Sequence, residues 1–254
     1  MFLNTSPDRP RPTVPGDDCE DRTMLKKCLL AVMLLSLFTV SCAAEIVRFG
    51  QTRCLLEPPA GEDSGRRYAL FVGSGDYFQA TRNCEGLSAS DGTLLIPEGD
   101  GRFELCSRAS DQVISDIRDT VLSWAREGHE VILIGYSAGG YPATALAVYL
   151  AQEGFTGKLY LLDGIYGDYR GITYNADYYR TNLDTWDVTM CASSSTSHNI
   201  SERSRKVCED LMEDSFADCR QYDGTHEDMK ALYLMILAGE NLPEPGSLGS
   251  AAAQ

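Results

Sequence analysis

The sequence predicts an α/β protein: a three-layer αβα sandwich in which a mainly parallel sheet carries helices on both faces. Three observations predict it. Short continuous apolar runs recur, among them Tyr68-Ala69-Leu70-Phe71-Val72 and Val131-Ile132-Leu133-Ile134. Strands covered on both faces read as such runs rather than as alternating ones. Helical stretches separate the runs, and strand–helix–strand alternation builds parallel sheets. The chain of 254 residues, 43% apolar, is long enough to bury a core within one domain.

The first elements belong to targeting. Residues 1–23 are rich in Pro, Asp and Arg without apolar period. They read as a disordered leader, or as sequence upstream of a start at Met24. Lys26 and Lys27 then precede the apolar run Leu29 to Val40 and the small residues Ser41-Cys42-Ala43-Ala44. Residues 24–42 thus have the layout of a secretory signal peptide. The run is shorter than the ~20 apolar residues of a membrane-spanning helix. Thr39-Val40-Ser41-Cys42 resembles a bacterial lipobox, although Leu is usual where Thr39 stands. That resemblance implies a lipidated Cys42 and a membrane tether; cleavage and release is the alternative. Export to the periplasm or cell surface is the expected localisation.

Six cysteines follow: Cys54, Cys84, Cys106, Cys191, Cys208 and Cys219. An even set in an oxidising compartment suggests up to three disulfides, and the sequence fixes no pairing. Cys84 and Cys106 bracket one loop-rich segment and Cys208 and Cys219 another, so these two pairings are the expected ones. No CxxC or Cys/His spacing suggests zinc, so no metal is expected.

The mature chain, 43–242, reads as one domain. Glu45 to Glu57 gives one or two strands, stopped by Pro58-Pro59. Residues 68–72 form a buried strand running into Gly73-Ser74-Gly75. Residues 79–108 read as loop. A helix over 110–127 carries Val113, Ile117, Val121 and Trp124 on its apolar face, with Ser110 as N-cap and Gly128 as stop. The strand 131–134 follows, then a small, apolar, buried helix over 138–151 and a strand over 158–162. Residues 164–187 are rich in Tyr, Gly, Asp and Asn, a candidate cap over a site or a packed loop. A strand over 188–192, an amphipathic helix over 201–213, a strand over 216–222 and a helix over 227–238 complete the domain. The Pro/Gly/Ser/Ala tail 243–254 reads as disordered.

The net charge is −15. It argues against nucleic acid, whose phosphates it would repel, and against docking on anionic lipid through a basic patch. It does not identify a substrate.

The chemistry gathers at Gly135-Tyr136-Ser137-Ala138-Gly139, between an apolar strand and an apolar helix. A serine on such a turn needs a strained backbone and small neighbours, and the turn lifts its oxygen above the sheet. The Ala138 N–H then stands at a helix N-terminus, suited to developing negative charge. Ile134-Gly135-Tyr136-Ser137-Ala138-Gly139-Gly140 resembles the nucleophile elbow of α/β-hydrolase serine hydrolases. In layout the resemblance covers about residues 68–240. It implies Ser137 as nucleophile, with an acid and then a histidine later in the chain.

Three histidines are available: His129, His198 and His226. In a parallel sheet the site lies at the carboxyl ends of the strands. His129 precedes its strand and so stands at the wrong end. The family's order favours His226 as base, with His198 as the alternative. The acid usual in the family would follow the strand ending at Ala192, but that loop, 193–197, holds no carboxylate. Asp163, one strand earlier, is the candidate. Asp184 and Asp187 precede their strand, and Asp223 suits a turn. The second oxyanion donor implied by the resemblance is Ser74 or Gly75, in a loop that lacks the family's frequent His-Gly pair. Tyr136 and Tyr166 are the candidate substrate contacts. These residues suit cleavage of a small-molecule or lipid ester without a cofactor. A non-catalytic binding module, an acyltransferase and a thioesterase are the alternatives.

Overall fold

The computed structural model describes residues 45–73, 87–98, 109–165, 167–169, 171–195 and 199–248. Strands β1 (Glu45–Phe49) and β2 (Thr52–Glu57) form an antiparallel hairpin, followed by β3 (Arg66–Val72) and β4 (Gly92–Glu98). Helix α1 (Ala109–Arg126) leads to β5 (Glu130–Tyr136), a 3-10 turn (Ser137–Gly139) and α2 (Gly140–Gln152). Then come β6 (Lys158–Leu162), a small hairpin of β7 (Asp168–Tyr169) and β8 (Ile172–Thr173), and α3 (Ala176–Asn182). Strand β9 (Asp187–Ser193), α4 (Asn199–Met212), β10 (Asp218–Asp223), α5 (Lys230–Ala238) and β11 (Gly246–Ser247) complete the order.

Nine strands make one sheet in the order β1-β2-β4-β3-β5-β6-β9-β10-β11. Strand β2 runs antiparallel to β1 and β4, and every other pair is parallel. Successive side chains of a strand point to opposite faces, so continuous apolar strands require cover on both. Phe71, Leu133, Leu161 and Met190 pack with α1, α2 and α4 residues such as Ile117, Leu146 and Leu211. Leu70, Ile134, Leu162 and Cys191 pack on the other face with Leu232 and Ile236 of α5. This is the predicted sandwich of helices on both sides of a mainly parallel sheet.

The structure decides four local readings. The stretch read as loop, 79–108, contains β4, whose apolar core is only Leu94-Leu95-Ile96. Pro97, usually a sign against a strand, pairs only with β2, beyond the last β4 residue that pairs with β3. The Tyr-rich segment is packed: Tyr174, Tyr179 and Trp186 are buried in the main core. The tail does not leave the fold at 243. Tyr222 donates to the Pro243 carbonyl (2.8 Å), Leu248 is buried, and β11 adds a parallel strand beside β10.

The fourth is a correction to the cysteines. Cys54, Cys191, Cys208 and Cys219 are free thiols, so the expected Cys208–Cys219 disulfide is not formed. The Cys208 thiol donates instead to the Met190 carbonyl (3.7 Å), and the neighbouring Cys219 thiol together with burial pushes its pKa up. Cys84 and Cys106 lie outside the described residues.

Candidate active site

Strand β5 delivers the chain to Ser137, whose φ is 52°. That left-handed conformation crowds the Cβ of any L-residue and marks a strained turn. The turn is tightly packed from the β6 side. A Cβ added at Gly140 would lie 1.8 Å from the Gly164 carbonyl oxygen. Glycine therefore lets the loop after β6 rest directly on the first turn of α2, and that loop begins with Asp163.

Asp163 is fully buried and itself adopts a left-handed φ of 45°. Its N–H donates to the Cys191 carbonyl (2.8 Å), tying it to the neighbouring β9. The Ser193 N–H donates to its Oδ1 (2.9 Å). The Ser193 and Ser201 hydroxyls donate to Oδ2 at 2.5 and 2.8 Å. His226 Nδ1 lies 3.1 Å from the same Oδ2.

His226 is buried on the turn between β10 and α5. The sequence Thr225-His226-Glu227-Asp228 folds that turn through reciprocal bonds, the arrangement of a capping box. The Thr225 N–H and hydroxyl donate to Asp228 Oδ2 (2.7 and 2.8 Å), and the Asp228 N–H returns to Thr225 Oγ1 (3.4 Å). The Thr225 bonds hold the Asp228 carboxyl below its usual pKa.

Tyr136 lies beneath the histidine. Its ring stacks on His226 with centroids 5.0 Å apart, and its hydroxyl donates to the His226 carbonyl (3.1 Å). Burial, with Glu227 nearby, pushes the phenol pKa far up, so it remains a donor. Strand alternation turns the Tyr136 ring into the sheet face under α5, where it supports His226.

Ala138 is buried in the turn. A Cβ added at Gly73 would lie 2.1 Å from the Ala138 nitrogen. The absent side chain at the end of β3 therefore leaves room beside that amide, next to the loop read as the second oxyanion donor. Ser74, Gly75, Tyr166, His198 and Cys42 lie outside the described residues.

His129 stands at the opposite end of the sheet, with Nδ1 3.1 Å from the Gly65 carbonyl. Asp187 begins β9 at that same end, and Asp223 is exposed. A cavity of about 500 Å³ opens there too, lined by Arg66, Lys158, Tyr160, Arg220 and others. Its cations are already paired, Arg66 and Lys158 with Glu130 and Arg220 with Asp218. It lies at the amino ends of the strands, whereas Ser137 follows the carboxyl end of β5. Among the described residues, no three His, Cys, Asp or Glu side chains are grouped to hold a metal ion.

The structure thus brings Asp163 and His226 together, with the His226 ring stacked on Tyr136, the residue before the strained Ser137. A carboxylate accepts only, so Nδ1 carries the ring proton and Nε2 is the basic nitrogen. Sequence reasoning missed Ser193 and Ser201. The available signal was Ser201 and Ser204 lying on the same helical stripe as Val207, Cys208 and Leu211. Hydroxyls on an apolar stripe imply buried hydrogen bonds.

No protein-family model matches the chain, and no curated protein matches its sequence. Its structure is similar to a carboxylesterase from Mesorhizobium loti, 17% identical, with a TM-score of 0.52 covering 77% of this chain and 99% of that one. It is also similar to an esterase from Pyrobaculum calidifontis, 12% identical, with a TM-score of 0.50 covering 89% and 95%. With the strand order and the elbow, this likeness identifies the α/β-hydrolase fold.

Proposed function

We propose that the protein is a serine hydrolase that cleaves a carboxylic ester through an acyl-enzyme. The observation that carries the reading is the buried 3.1 Å contact between Asp163 and His226, whose ring stacks on Tyr136, the residue before the left-handed Ser137. In this reading Ser137 Oγ attacks the ester carbonyl carbon while His226 Nε2 takes the hydroxyl proton. Asp163 fixes the ring tautomer and stabilises the imidazolium. The Ala138 amide and one from Ser74 or Gly75 donate to the oxyanion. The intermediate collapses, the alcohol leaves with the proton from His226, and water repeats the sequence on the acyl-enzyme. Both compared proteins are named as esterases, which favours an ester over other acyl substrates.

A fluorophosphonate probe tests it. The wild type is expected to be labelled at Ser137, and Ser137→Ala not at all. A wild type that does not label, or a variant that labels equally, sinks the reading and leaves a binding module on the same fold. We propose in addition that the chain is exported and tethered through a lipidated Cys42. Metabolic labelling with an alkyne fatty acid, lost in Cys42→Ala, would support the tether; labelling that persists in the variant rejects it.

A further inference from the structure

We infer that Ser193 and Ser201 are positioning residues that hold the Asp163 carboxylate, and through it the His226 ring; their catalytic importance rests on the function proposed above. The terminal torsion of a carboxylate is broad when nothing restrains it. Here both oxygens are restrained. Ser193 holds Oδ1 with its N–H and Oδ2 with its hydroxyl, so one residue of β9 grips both ends of the group. Ser201 grips Oδ2 from α4. Rotating the carboxylate away from His226 would break all three bonds.

The placement of Ser201 adds to this. It is in the first turn of α4, whose N–H groups present partial positive charge towards an anion. One turn on, Ser204 Oγ accepts from the Ile165 N–H (3.1 Å). Helix α4 therefore meets the acid-bearing loop with two hydroxyls, and only Ser201 reaches the carboxylate. Asp163, Ser193 and Ser201 are all fully buried, so water does not replace a lost donor freely. Oδ2 is shared by Ser193, Ser201 and His226, so removing either hydroxyl loosens the oxygen that orients the ring.

A purely structural role would show only as lost stability, so the test reads the ring itself. With three histidines in the chain, proton NMR with ring-nitrogen-labelled histidine resolves His226 individually. In the wild type its Nδ1–H, buried and bonded to a carboxylate, is expected as a slowly exchanging downfield signal. In Ser193→Ala and Ser201→Ala it is expected to move and exchange faster. In Ser204→Ala, whose hydroxyl does not touch Asp163, it is expected to stay in place even if the melting temperature falls. Turnover of an activated ester should fall about tenfold to a hundredfold in kcat for each Asp163-facing serine, with KM little changed. In an Asp163→Asn background the serine substitutions should add almost nothing, because they act through the carboxylate. An unchanged ring signal in the Ser193→Ala/Ser201→Ala double variant overturns the inference. That measurement needs no turnover, so it decides the point even if the wild type fails to label at Ser137.

Discussion

The strain at Ser137 can be measured without any substrate. Ser137→Ala and Ser137→Gly both lack the hydroxyl, so their difference isolates the backbone. At φ 52° alanine keeps the left-handed penalty and glycine escapes it. The penalty is about 1–2 kcal/mol for an L-residue. Glycine gives back about 0.4–1 kcal/mol through its freer unfolded chain. The net gain of Ser137→Gly over Ser137→Ala is therefore about 1 kcal/mol. For a domain of this size that raises the melting temperature by about 2–4 °C. Gly154, after α2, provides the calibration: its φ is 83° and an added Cβ meets nothing within 4 Å. Gly154→Ala should lose about the same 1 kcal/mol, with no clash to confuse it. Urea midpoints and calorimetry on the three variants make the comparison. If Gly154→Ala is destabilised while Ser137→Gly is no more stable than Ser137→Ala, the serine is not strained and the elbow argument fails.

The remaining predictions concern the groups around that turn. Asp163→Asn and His226→Gln should each lower kcat for ester cleavage about a thousandfold or more while labelling at Ser137 slows in parallel, as expected when a triad member loses its role; near-normal kcat in either variant excludes it from the machinery. Gly73→Ala pushes a methyl group against the Ala138 amide; it should cost about a hundredfold in kcat, as for a lost oxyanion donor, and a variant with full activity would remove that amide from the mechanism. The Asp228 carboxyl has its pKa lowered by its Thr225 bonds, so its contribution to stability is complete above the unfolded pKa and is lost as pH falls through the folded one. Asp228→Ala should accordingly be less stable than wild type near neutrality, with the gap closing towards about pH 2; a gap independent of pH in urea titrations contradicts that assignment.

Much of the framework is legible in the residues. The apolar run 131–134, the small residues around Ser137 and the apolar helix after it are contiguous, so their local geometry follows from local sequence. The amphipathic stripe of α1 and its stop at Gly128 are equally local. Strand β4 was not legible, because three apolar residues beside a proline become a strand only once β2 and β3 flank them. Nor was the ordered tail, which depends on Tyr222 and Arg220 reaching the Leu242 and Pro243 carbonyls. The Tyr-rich segment was open to two readings, since aromatic residues suit a core and a binding surface equally until their burial is known.

Sequence alone thus determined the sandwich and the elbow, because periodicity and turn chemistry act within a few residues. Tertiary structure decided which carboxylate meets which histidine. Asp163 and His226 are 63 positions apart, and they meet only because the sheet places β6, β9 and β10 side by side. The same strand order brings Ser193 and Ser201 onto that carboxylate and leaves Asp187 at the far end of its strand. It also turns Tyr136 inward under the imidazole, where alternation along β5 leaves it no route to the surface.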